Sequence, residues 1–157
     1  MKNAAEELNT SILSECRVLL VEDSLENQNL VSNFLKQAGA DVSLSDNGQH
    51  AFDLALEAHT QGFPFDIILI EMQLPVLDGC VVTKKLRAAG FRGPVIALTA
   101  CETSYSRQKC TESGCDDYLI KPVDPTQLIN LMSLYLSQLK QKKQFNRAAK
   151  VFLNLDG

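Results

Sequence analysis

At 157 residues and 45% apolar, the chain can bury one full hydrophobic core and is too short for two comfortable ones. No run of about eighteen apolar residues occurs, and the polar start MKNAAEELNTSILSE lacks the basic-then-apolar order of a signal peptide. Neither membrane contact nor export is therefore expected, and the cytoplasm is the default. The net charge of −4 divides into a body (1–123) with 10 basic and 17 acidic side chains and a tail (124–157) with 5 basic and 2 acidic ones. The tail cations, Lys140, Lys142, Lys143, Arg147 and Lys150, read as a solvated helix face rather than a nucleic-acid surface.

Residues 1–14 read as a linker, with a short amphipathic turn around Leu8, Ile12 and Leu13 as the other reading. From residue 15, short β-branched and leucine-rich runs alternate five times with segments of helical spacing. The strands fall at 17–21, 41–45, 67–70, 95–98 and 118–120, and the helices at 25–38, 48–60, 79–89, 104–113 and 125–143. The third and fourth strands are almost wholly apolar, as central strands covered on both faces must be. Gly39, Gly62, Gly90 and Gly114 lie just past the first four helices, where a left-handed residue closes a helix most cheaply. Beyond a domain of 15–143, the extension 144–157 carries Phe145, Ala148, Ala149 and Phe152 at helical spacing, widened by Val151, Leu153 and Leu155. That stripe packs back on the domain or meets a second copy or a partner helix.

Five right-handed βα units predict an α/β fold: a doubly wound, five-stranded parallel sheet with helices on both faces. In such sheets site residues gather at the carboxyl ends of the strands. Those ends carry Glu22 and Asp23, then Ser45 and Asp46, then Glu71, then Thr99, then Lys121 and Pro122. Taken singly, these residues are helix caps (Asp23 or Ser24) or one half of an ion pair (Lys121). Taken together, three carboxylates on one rim repel one another unless a cation intervenes, and oxygen-only ligands suit Mg²⁺ or Mn²⁺. A hydroxyl on Thr99 and the amine of Lys121 suit a phosphoryl group beside that metal. The five cysteines, Cys16, Cys80, Cys101, Cys110 and Cys115, form no C-x-x-C pair and have no histidine close by, so they read as reduced thiols. A nucleotide-binding enzyme of similar sheet topology would need a glycine-rich loop after the first strand, where this chain has EDSLENQN.

The blocks VLLVEDS, FDIILIEMQLPVLDG, VIALTA and DDYLIKP, over residues 16–124, resemble in order and spacing the four motifs of response regulator receiver domains. The acidic pair, the Q-x-P-x-x-D-G loop and the G-x-D-D-Y-L-x-K-P run are most similar to receivers of hybrid sensor histidine kinases. The resemblance implies a flavodoxin-like strand order of 2-1-3-4-5. It also implies a module that accepts a phosphoryl group from a histidine kinase or histidine phosphotransfer protein, without enzymatic activity of its own. Carried over, Glu22, Asp23, the residue-71 carboxylate and the carbonyl of Gln73 would hold Mg²⁺. Thr99 and Lys121 would meet the phosphoryl oxygens, Tyr118 would swing inward on activation, and Pro122 would follow a cis peptide bond. Signalling would pass through the face of the fourth and fifth helices and fifth strand, which, like the C-terminal helix, is also a candidate dimer contact.

One position departs from the pattern: Glu71 stands where the family has its phosphate-accepting aspartate. Its extra methylene displaces the attacking oxygen by about 1.5 Å, and misplacement of about 1 Å can cost about a hundredfold in rate. The expected outcome is loss of phosphotransfer or partial mimicry of the phosphorylated state. A receiver reduced to a protein-interaction domain is the alternative. Asp46, Asp66, Asp78 and Asp116 stand away from the third strand's carboxyl end, and His50 and His59 have no acidic helix bundle around them.

Overall fold

Five parallel strands, β1 (Arg17–Val21), β2 (Asp41–Ser45), β3 (Ile67–Glu71), β4 (Val95–Thr99) and β5 (Asp117–Ile120), form one sheet in the order β2-β1-β3-β4-β5. Between and after them run α1 (Leu25–Gln37), α2 (Gly48–Thr60), α3 (Gly79–Ala88), α4 (Ser104–Ser113) and α5 (Pro125–Leu155). This computed structural model describes residues 12–100 and 103–155, with the side chains of 154 and 155 left out. Leu8, Cys101 and the Leu155 side chain, all named in the sequence reading, lie outside the described residues.

The sheet separates two apolar layers because successive strand residues point to opposite faces. Val18, Leu20, Ile67 and Leu69 pack with Val31 and Leu35 of α1 and Leu128, Met132 and Leu136 of α5. Leu19, Val21, Ile68 and Ile70 pack with Ala51, Ala55 and Ala58 of α2 and Val82 and Leu86 of α3. β3 and β4 are buried along their whole lengths, which explains their near-continuous apolar sequence. Leu13, assigned to the linker by its position, is fully buried in the first layer, and its N–H donates to the Ala38 carbonyl at 2.8 Å.

Local chemistry sets the boundaries. Ser24, Asn47, Asp78 and Thr103 cap the starts of α1 to α4 by accepting the backbone N–H three residues on. Gly39, Gly62, Gly90 and Gly114 all have positive φ, the conformation in which a Cβ would be strained. The helix expected to stop at 143 instead continues without a break to Leu155. Phe145, Val151, Phe152 and Leu153 are exposed on this continuation, so the apolar stripe does not pack back on the domain.

Candidate functional site

Strand register brings the predicted residues to one rim. Val21 pairs with Ile70, so Glu22 and Glu71 are the next residues of neighbouring strands and leave the sheet on the same face. Thr99 pairs with Ile120, which puts Lys121 one residue beyond on the far side of β4. The Lys121–Pro122 peptide is cis. Behind β3 the chain turns tightly: the Gly79 N–H donates to the Met72 carbonyl at 2.9 Å. A Cβ on Gly79 would stand 2.4 Å from the Glu71 carbonyl oxygen, so only glycine allows the loop to close against the strand end.

Both glutamates are buried, Glu22 at 1% exposure and Glu71 at 5%. Lys121 Nζ forms an ion pair with Glu22 Oε2 at 2.7 Å and a second with Glu71 Oε2. The other oxygen of each carboxylate is held by backbone: the Ser24 N–H donates to Glu22 Oε1 at 3.3 Å and the Gln73 N–H to Glu71 Oε1 at 3.2 Å. The two Oε2 atoms accept no well-formed hydrogen bond and face the ammonium alone. Burial raises the Glu22 pKa above its ordinary value, against the lowering effect of Lys121. For Lys121, burial would lower the pKa, but the two carboxylates outweigh it and hold the ammonium above its usual range.

The other predicted residues are placed less closely. Asp23 is exposed, and Ser24, not Asp23, caps α1. Thr99 is buried at the end of β4 and lines, with Met72, Gln73, Asp78, Tyr105 and Lys109, a cleft of about 250 Å³ beside the glutamates. Tyr118 is half-buried on β5, with the Arg107 guanidinium of α4 5.2 Å from its ring centre. Among the described residues no three Asp, Glu, His or Cys side chains gather closely enough to hold one metal ion. The donors nevertheless suit a hard cation: they are all oxygen, and two buried carboxylate oxygens have only one ammonium between them.

Sequence reasoning missed the residues that pin the opposite, amino-terminal end of the sheet. Arg87 donates to the carbonyls of Phe91, Gly93 and Gly114 and pairs with Asp116 at 2.8 Å, tying α3 to the loops around β4 and β5. Asp116 also accepts from the Val95 N–H at 2.9 Å, and Asp66 accepts from the Arg17 N–H at 2.8 Å. Tyr135 Oη donates to the Asp116 carbonyl at 3.1 Å. The only sequence signal was a carboxylate placed just before a strand.

Comparison with known proteins agrees with this geometry. A family model described as the response regulator receiver domain matches residues 18–133. Hybrid signal transduction histidine kinase I of Dictyostelium discoideum is 32% identical over 131 residues, which is 81% of this chain and 8% of that protein. The receiver domain of the histidine kinase CKI1 from Arabidopsis thaliana, complexed with Mg²⁺ and BeF₃⁻, superposes with a TM-score of 0.73 at 28% identity, over 82% of this chain and 95% of that one. A sensor histidine kinase receiver from Pseudomonas aeruginosa, with magnesium in its active-site cleft, gives 0.70 at 35% identity, over 78% and 98%.

Proposed function

The chain belongs to the response regulator receiver domain family, and on that premise we propose that it is a two-component signalling module silenced at its acceptor position by Glu71. The observation that carries the reading is the contact of the Glu71 carboxylate with Lys121, the lysine that the family resemblance assigns to the phosphoryl group. In a receiver the acceptor carboxylate attacks phosphohistidine: a P–O bond forms as the P–N bond breaks, and the imidazole leaves. Glu71 has its oxygen drawn onto the ammonium and displaced outward by one C–C bond, which removes the in-line geometry that this step requires.

Asp23, Glu22 and the Gln73 carbonyl are the residues that would hold Mg²⁺, beside Glu71. When bound, the metal supplies positive charge that offsets the negative charge of a phosphoryl group. Thr99, buried at the end of β4, is the hydroxyl that would meet the phosphoryl oxygens. The carboxylate–ammonium contact copies one feature of the phosphorylated pocket, but a carboxylate brings one charge where a phosphoryl group brings about two. The partner is a histidine kinase or histidine phosphotransfer protein. Receipt of its surface is compatible with a groove of about 560 Å³ lined by Tyr118, Ile120, Leu131 and Leu134. No helix among the described residues is long and apolar enough to cross a membrane.

The closing of the pocket by its own lysine also favours a second reading, a receiver that works only as an interaction domain. Fluorine NMR with Mg²⁺ and beryllium fluoride separates the two. The Glu71→Asp form is expected to show bound fluoride resonances and the natural chain none. Absence of binding by the aspartate form favours the interaction domain, and binding by the natural chain shows that Glu71 is not silencing.

A further inference from the structure

We propose that Lys121 is the resident counter-ion of this pocket, and that a divalent cation enters only by displacing it, so that Glu71 makes the chain a poor metal binder. This inference rests on the receiver reading of the site. It starts from a disagreement between the donor set and its arrangement. The carboxylates that should converge on a metal converge on an ammonium: Lys121 Nζ meets Oε2 of both Glu22 and Glu71, two buried oxygens that accept no well-formed hydrogen bond. Asp23 stands exposed, and no three acidic, histidine or cysteine side chains among the described residues surround one point.

Two carboxylates buried side by side must share a cation or lose a charge. Either an ammonium or a divalent ion can meet that requirement, but both seek the same lone pairs. Lys121 is covalently attached at the end of β5, so it competes at any metal concentration. Its backbone N–H is itself anchored to the Thr99 carbonyl at 2.8 Å, which fixes where the side chain starts. The apparent metal affinity is then the intrinsic affinity multiplied by the fraction of molecules in which the lysine has let go. If that fraction is about 1%, binding is weakened about a hundredfold.

Glu71 is what makes the bridge two-sided. An aspartate would withdraw its carboxylate by about one C–C bond, about 1.5 Å, from the ammonium. Lys121 would then keep one strong partner, Glu22, and the released carboxylate would be available to a metal. With Glu71 the chain thus has an internally neutralised pocket in place of a metal-dependent one.

The test is Mn²⁺ titration followed by electron paramagnetic resonance on three 157-residue chains: the Glu71 chain itself, Glu71→Asp and Lys121→Gln. The aspartate form is expected to bind at least tenfold more tightly than the natural chain, and Lys121→Gln, which keeps Glu71, to regain tenfold or more. Equal affinity of the natural and Glu71→Asp chains overturns the proposal, as does Mn²⁺ binding by none of the three. If Lys121→Gln does not fold, the Mg²⁺-induced rise in thermal midpoint decides alone: it must be larger for Glu71→Asp than for the natural chain, and equal rises overturn the proposal. Failure of the receiver reading would look different, with Glu71→Asp binding Mn²⁺ but taking up no beryllium fluoride.

Discussion

At the residue scale, Glu22, Lys121 and Glu71 meet on one rim, and their convergence follows from register rather than from any one side chain. All three were legible in the sequence, because polar residues that end apolar parallel strands have one rim on which to meet. That Lys121 would bridge both glutamates was not legible. It depends on side-chain reach across three strands, which spacing along the chain does not encode. The same holds for Tyr135, read from sequence as one more residue of the last helix. Burial, with the Asp117 carboxylate adding to it, raises the Tyr135 phenol from an ordinary 10.0 to about 12. A group whose folded pKa is raised stabilises the fold fully below its unfolded pKa and ceases to do so as pH climbs through the folded one. Urea midpoints are therefore expected to fall more between pH 10 and 12 for the natural chain than for Tyr135→Phe, and phenolate absorbance should show one late-titrating tyrosine that the variant lacks.

At the element scale, β1, β2, α2 and α4 begin and end where periodicity and caps place them, and β3, β4, β5, α1 and α3 differ by one residue at one end. The large difference is α5, which runs 31 residues. Its apolar period fades after Leu139 in the stretch KQKKQ, and a reading based on buried faces stops there. Lysine, glutamine, arginine and alanine are nevertheless good helix formers, and no glycine or proline interrupts residues 126–155. The helix therefore continues by propensity where packing no longer requires it. Its last buried residue is Leu136, and Lys143 makes only a loose ion pair with Asp66 at 3.9 Å. Removing residues 145–157 is accordingly expected to change the unfolding free energy by less than about 0.5 kcal/mol in denaturant titration. A larger loss would mean that the exposed stripe of Phe145 and Phe152 is covered in solution.

At the scale of the whole molecule, an acidic body carries a basic helical tail, and the body is one receiver module matching a small part of a much longer histidine kinase. Fold and family could be read from the chain because strand order, caps and motif blocks all point the same way. The state of the switch could not, since the extra methylene of Glu71, to which we attribute the loss of phosphotransfer, disturbs no element. The most direct measurement is intact mass after incubating the natural chain and Glu71→Asp side by side with Mg²⁺ and a small acyl phosphate donor. The aspartate form should gain one phosphoryl group and the natural chain none. A phosphorylated natural chain, or an aspartate form that stays unmodified, would contradict the account.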